Sequence, residues 1–229
     1  MYYVVEDDKK LYFKRGMTES EVRNRFNALS SEQDILSPHR YLSAGYHMFG
    51  ADFEPIDLCV DGAKEFGVNN NDIVADLGTA EGNFAISIVD MAEKLYLFEC
   101  DKEWVRALEQ TFKPFAHKTV IVEKMVSDRT EFNSVSIDDY FERKSLHFIK
   151  ADLEGYESKA LLGAKNTIET AKHMKIAVCT YHACEHASLF SDYFCERGFD
   201  VQFSRGYMHP WTILNASPYL TKGVLRARR

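Results

Sequence analysis

The sequence predicts an α/β fold, a mostly parallel sheet with helices on both faces. Three observations carry this expectation. Short apolar runs alternate with helix-like stretches of about ten to fifteen residues, the signature of βαβ units with right-handed crossovers. Ile73 to Leu77 is apolar without polar alternation, as a strand covered on both faces requires. That run leads through Gly78 into a glycine-containing turn and a helix starting near Asn83. With 229 residues, 45% of them apolar, the chain suits one such domain carrying an N-terminal extension.

The extension is taken as residues 1–54 and the main domain as 55–229. Tyr2 to Val5 and Leu11 to Phe13 can pair as a hairpin, and Thr18 with Glu21 forms a capping box for a helix to about Leu29. Ser37-Pro38 marks a break. Tyr41 to Gly50, rich in aromatics and glycine, reads as a lid over a pocket or as packing on the flank. Pro55 to Phe66 has the proline start and Gly67 stop of a helix. A turn at Asn69 to Asp72 precedes the central strand, whose helix is expected from Asn83 to Lys94. Lys94 to Glu99, Thr119 to Val122, Leu146 to Ala151, Lys175 to Thr180 and Phe199 to Phe203 are the next strands. Leu220 to Ala227 makes a seventh. Helices are expected over Glu103 to Phe112, from Ser136, over Ser158 to Thr170 and over Glu185 to Arg197.

Composition narrows the function. The net charge is −7, and the only basic cluster is Arg226, Arg228 and Arg229, which argues against nucleic acid and against an anionic membrane surface as partners. No apolar run approaches the ~18 residues of a membrane span. Met1 to Lys10 lacks the apolar core of a signal peptide. Five cysteines without CxxC spacing suit free thiols in a reducing, cytoplasmic setting. Oligomeric state is left open.

In open parallel sheets ligands bind beyond the carboxyl ends of the strands. The polar residues at those ends are Asp76, Glu99, Asp128, Asp152 and His182, so these should converge. The turn carries D-x-G-x-x-x-G at Asp76, Gly78 and Gly82, not the dinucleotide or phosphate-loop glycine pattern. It resembles motif I of S-adenosylmethionine-dependent methyltransferases, where an acidic residue faces the ligand's amino-acid part. Glu99, 17 positions after Gly82, is placed to accept from both ribose hydroxyls. Ser127-Asp128 either meets the adenine edge or forms an Asx turn.

A longer series makes the resemblance specific. Asp76-Leu-Gly-Thr-Ala-Glu-Gly82, Leu97-Phe-Glu99, Val126-Ser-Asp128, Ser136-Ile-Asp-Asp-Tyr-Phe141, Phe148-Ile-Lys-Ala-Asp-Leu-Glu-Gly-Tyr-Glu157 and Leu161-Leu-Gly-Ala164 occur in this order. Over about Asp72 to Phe203 they resemble the FkbM family of S-adenosylmethionine-dependent methyltransferases. The resemblance departs at Thr79-Ala80 and at Cys100. It implies a Rossmann-like class I methyltransferase fold with a seven-stranded sheet, in which Leu220 to Ala227 would be the antiparallel strand, and O-methylation, often of sugars or natural products. The acceptor is then a small molecule or glycan. Asp76, Gly78, Thr79, Gly82, Asn83, Glu99, Cys100, Ser127 and Asp128 form the implied cofactor set.

O-methylation needs an oxygen aligned with the sulfonium and relieved of its proton. No Asn-Pro-Pro-Tyr-like segment follows the fourth strand, which disfavours an exocyclic amine acceptor. Asp152 is expected to face the acceptor, as a base or as a cation ligand. His182 is a base or a structural histidine, and Lys150 a site residue or a salt-bridged lysine. Glu154 and Glu157 support the site or simply begin the next helix. Asp152, His182 and His209 could alternatively hold a divalent metal, and Tyr207 and Trp211, near Arg205, could line a sugar pocket. His182-Ala-Cys-Glu185-His186 also matches H-x-x-E-H, but that metalloprotease pattern needs both histidines on one helix. The competing functions are an NAD-type oxidoreductase and a catalytically silent methyltransferase-like scaffold.

Overall fold

The computed structural model of the chain describes residues 1–6, 8–33, 66–142, 144–203 and 222–229. The expected lid at Tyr41 to Gly50, the helix from Pro55, the boundary at residues 54–55 and the loop carrying Arg205, Tyr207, His209 and Trp211 lie outside the described residues.

A seven-stranded sheet runs in the order β10 (Asp200–Phe203), β11 (Val224–Arg228), β9 (Lys175–Cys179), β8 (Phe148–Ala151), β3 (Ile73–Leu77), β4 (Lys94–Phe98), β5 (Thr119–Val122). β11 is antiparallel to both its neighbours, and every other pairing is parallel. This is the mostly parallel sheet expected from the sequence, with the antiparallel strand where the last apolar run lies. Side chains alternate across it. Val74, Leu95, Leu97 and Phe148 enter one core with Phe84, Ile88, Trp104, Leu108 and Phe112. Ala75, Leu77, Phe98 and Ile149 enter a second core with Ile137, Phe141, Leu161, Ile168, Phe190 and Phe194. Helices α2 (Asn83–Ile88) and α3 (Lys102–Thr111) cover the first face. Helices α4 (Ile137–Phe141), α5 (Glu157–Leu162), α6 (Lys165–Thr170) and α7 (His186–Cys195) cover the second.

Local signals explain the ends. Asp101 caps α3 by accepting from Glu103 N–H at 2.8 Å, and Ser136 caps α4 by accepting from Asp139 N–H at 3.1 Å. The Thr18 and Glu21 capping box forms in both directions and starts α1 (Glu19–Gln33). The hairpin β1 (Tyr3–Glu6) and β2 (Lys9–Tyr12) forms as expected. It is no loose appendage: Leu11 and Phe13 are fully buried in the first core, and Tyr12 N–H donates to Thr111 Oγ1 at 3.0 Å.

Two helices differ from expectation. The helix after the central turn ends at Ile88 rather than near Lys94, because the backbone turns at once to pair Glu93 N–H with Asp72. The single helix expected over Ser158 to Thr170 is two, α5 and α6, separated at Gly163. A Cβ on Gly163 would lie 2.1 Å from the Ser127 carbonyl, so this point is pinned under the strand pair β6 (Met125–Val126) and β7 (Ser134–Val135). Asp138 then caps α6 from outside, accepting from Thr167 N–H at 2.7 Å and Asn166 N–H at 2.9 Å.

Candidate active site

The site is built where the carboxyl ends of β3, β4, β8 and β9 meet. Gly78 leaves β3 at φ +77°, and its N–H donates to Phe98 O at 3.1 Å. An added Cβ there would lie 1.9 Å from the Asp152 carbonyl, so glycine is required by the neighbouring strand's exit loop, not only by the turn. The turn continues through Ala80 at φ +47° to Gly82 at φ +86°. Gly82 backs onto Leu108 and Phe112 of α3, so its missing side chain serves helix packing.

Glu99 locks the turn to β4. One carboxylate oxygen accepts from Ala80 N–H and the other from Asp101 N–H, both at 2.8 Å. A cavity of ≈ 610 Å³ opens above. Gly78, Thr79, Asn83, Glu99 and Cys100 line one side of it. The Asn83 Nδ2 is buried without a hydrogen-bond partner among the described residues, a donor aimed for a polar ligand. Ser127 and Asp128 lie outside the lining, where the Ser127 hydroxyl donates to Asp128 at 3.0 Å and helps hold that carboxyl below its usual range. Lys124, Met125 and Val126 occupy the wall there.

Lys150 and Asp152 form the adjoining wall beside Gly78, with Glu154 and Tyr181. Asp76 is 1% exposed and sits behind Lys150, whose Nζ lies 3.1 Å from its carboxylate and donates to Gly78 O at 2.7 Å. Burial pushes the Asp76 carboxyl up to about 6, and Lys150 limits the rise. Burial pulls the Lys150 ammonium down, but Asp76 and Asp152 outweigh it and hold it charged. Lys150 is therefore both the salt-bridged lysine and a wall residue.

The loop from Asp152 to Glu157 turns sharply, with Glu154 at φ +52° and Gly155 at φ +100°. Backbone of this kind in a residue other than glycine concentrates at functional sites. Tyr181 donates its hydroxyl to Asp152 Oδ1 at 3.2 Å. Next to it His182, with its side chain 5% exposed, places Nε2 3.7 Å from Asp152 Oδ1 and 3.5 Å from Glu154 Oε2. Its Nδ1 lies 2.8 Å from Oε1 of Glu157, which is fully buried and also accepts from Leu153 N–H at 2.7 Å. Burial would lower the His182 pKa, but Glu157, Asp152 and Glu154 together raise it.

Glu157 and Tyr181 were the residues the sequence undervalued. Glu157 does begin α5, as a helix-start acid would, yet its carboxylate turns inward to a histidine 25 positions later. Its one sequence signal is its place in the Lys-x-Asp-x-Glu-Gly-x-Glu segment. Arg25 was also unforeseen: from α1 it lines the cavity and makes two hydrogen bonds to buried Glu81, at 3.0 and 3.2 Å.

Asp152, Glu157 and His182 bring ligand-type atoms within 4.8 Å of one another. Glu157 Oε1 and His182 Nδ1 are paired with each other and Asp152 Oδ1 accepts from Tyr181, which leaves His182 Nε2 and Glu157 Oε2 without hydrogen bonds among the described residues. The expected third ligand, His209, is outside the described residues. His182 and His186 do not share a helix: only His186 belongs to α7, and both face Glu157, with the metalloprotease geometry absent.

The fold and the chain's family are visible in other proteins. Among solved structures, methyltransferase FkbM from Methylobacillus flagellatus KT aligns with TM-score 0.60 at 17% identity, covering 91% of this chain and 60% of that one. The chain thus spans three-fifths of the length of that relative. SMU.1697c from Streptococcus mutans, solved in complex with SAH, aligns with TM-score 0.51 at 13% identity over 76% of this chain and 97% of that one. An rRNA methylase from Streptococcus thermophilus aligns with TM-score 0.50 at 13% identity over 71% and 89%. These likenesses establish a class I methyltransferase fold. Among curated proteins the sequence finds no match. Residues 32–201, most of the chain, match the model of the Methyltransferase FkbM domain. With the Lys150 to Glu157 segment at the heart of the site, the chain belongs to the FkbM methyltransferase family.

Proposed function

We propose that this protein is an S-adenosylmethionine-dependent O-methyltransferase acting on a hydroxyl of a sugar, glycan or related small molecule. The observation that carries the reading is one cavity whose two walls are chemically different. On the first wall Glu99 and Asn83 offer an acceptor pair and an unpartnered donor, suited to a ribose diol and a polar amino-acid end. On the second, Asp152, Lys150 and Tyr181 offer charge and hydrogen bonds to an incoming hydroxyl, with His182 directly behind. The SAH bound by SMU.1697c supports the choice of cofactor. Methyl transfer then joins acceptor oxygen to the methyl carbon as the carbon–sulfur bond breaks, and the hydroxyl proton leaves to the second wall. The net charge of −7 and the acidic second wall favour a neutral or cationic small acceptor over RNA. The free thiols of Cys100, Cys179, Cys184 and Cys195 suit a cytoplasmic setting.

Calorimetry with S-adenosylmethionine, S-adenosylhomocysteine and NAD tests the reading. Binding of the first two and not the third is expected. Binding of NAD alone would restore the oxidoreductase alternative, and binding of none would favour a silent scaffold. Asp152→Asn is expected to keep cofactor affinity and lose methyl transfer to an acceptor found by screening glycans with labelled cofactor.

A further inference from the structure

Behind the second wall lies a buried arrangement that the cofactor reading leaves unused. Glu157 is fully buried, and one of its oxygens accepts from Leu153 N–H and faces His182 Nδ1 at 2.8 Å. A carboxylate accepts only, so the proton of this bond belongs to Nδ1. The neutral imidazole then carries its lone pair on Nε2. That nitrogen has no hydrogen bond among the described residues: Asp152 Oδ1 at 3.7 Å and Glu154 Oε2 at 3.5 Å are too far or too loosely aligned. Asp152 and Glu154 both line the cavity and His182 does not, so the free lone pair stands directly behind these two residues of the acceptor wall.

We infer that Glu157 is the positioning residue of a carboxylate–histidine pair, and that His182 Nε2 receives the acceptor's hydroxyl proton by way of the Asp152 carboxylate during methyl transfer. The inference rests on the methyltransferase reading above and adds to it the destination of the proton. The step balances: the acceptor oxygen gains a methyl group and loses a proton, the sulfonium becomes a neutral thioether, and His182 becomes an imidazolium paired with the Glu157 carboxylate. Holding one tautomer and stabilising the imidazolium is the work a buried carboxylate does in serine hydrolase triads. The charged or titratable groups around the imidazole are Glu157 from α5, Asp152 and Glu154 from the loop before it, Tyr181 on its own strand exit, and His186 from α7. His186 stays neutral, because burial lowers its pKa. Its Nδ1 lies 3.7 Å from the second Glu157 oxygen, and neither atom has a hydrogen-bond partner among the described residues. A glutamine at 157 can therefore keep its carbonyl on His182 and turn its amide toward His186, removing the charge while preserving the shape.

The test is an imidazole nitrogen NMR titration of the full chain, with signals assigned through His182→Gln. The wild-type protein is expected to show neutral His182 protonated on Nδ1, titrating above the ordinary histidine value. In Glu157→Gln the midpoint is expected to fall by about one unit or more as the buried charge is lost. Calorimetry with S-adenosylhomocysteine accompanies each protein and is expected to show unchanged affinity in the variant. A neutral His182 protonated on Nε2 would overturn the inference from the wild-type spectrum alone, whether or not the variant folds. So would an unshifted midpoint in a variant that still binds S-adenosylhomocysteine. A wild-type chain that fails to bind it would overturn the cofactor reading instead, and the catalytic role with it.

Discussion

Asp76 and Lys150 show how burial sets the character of a site wall. With its pKa raised to about 6, Asp76 stabilises the fold only while protonated, and that contribution is lost as pH rises through 6. Lys150 offsets the cost of the ionised form. Lys150→Met should therefore destabilise the protein by about 3–5 kcal/mol at pH 8, where a buried carboxylate is left uncompensated, and by much less at pH 5. Urea unfolding at the two pH values checks this, and equal losses would mean that Asp76 is not the strained partner. Glu99 makes the complementary case. Its oxygens already hold Ala80 N–H and Asp101 N–H, so Glu99→Ala removes both the turn's anchor and the proposed ribose partner. S-adenosylhomocysteine affinity should fall by ~1–3 kcal/mol in calorimetry. Glu99 was legible because a strand end fixes where a carboxylate must sit, whereas Asp76, expected to face the ligand, lies behind Lys150 and outside the cavity lining. Glu157 was not legible, since its partner His182 becomes a neighbour only through the β8–β9 pairing.

The inner strands announced themselves through apolar runs that the sheet then buried on both faces, and Thr18 and Ser136 announced two helix starts. The break at Gly163 carried no such signal. Ser158 to Thr170 is a continuous helical pattern, and what interrupts it is the Ser127 carbonyl, brought there from another part of the chain. Gly163→Ala would place a methyl 2.1 Å from that oxygen, so a loss of about 3 kcal/mol is expected. Gly198 gives the control: its φ is +75°, but nothing lies within 4 Å of an added Cβ. Gly198→Ala should cost only the backbone term, about 1–2 kcal/mol. Thermal unfolding of the two variants separates close approach from conformational strain, and equal losses would count against the pinned break.

At the scale of the whole molecule, the amino-terminal segment and the Glu99 side of the cavity are one packed unit. Phe13 is fully buried with Trp104 at 6.3 Å between ring centroids, and Arg25 reaches from α1 to Glu81 beside the Gly78 turn. Two variants distinguish core support from site support. Phe13 lies outside the cavity lining, behind Trp104, so Phe13→Ala removes core packing but no lining side chain and should cost about 3–5 kcal/mol. A ligand at one hundred times its dissociation constant returns ≈ 2.7 kcal/mol, independent of how stable the unliganded protein is. The S-adenosylhomocysteine-induced rise in melting temperature should therefore persist in Phe13→Ala, at roughly 5–10 °C for a chain of this size. Arg25→Ala leaves the buried Glu81 carboxylate without this partner and should lower the unliganded melting point as well. Because Arg25 lines the cavity and steadies the turn through Glu81, its ligand-induced rise at the wild-type's saturating concentration should shrink instead. Differential scanning fluorimetry on both proteins, with and without ligand, reads the two effects apart. An undiminished rise in Arg25→Ala would confine the amino-terminal segment to a packing role.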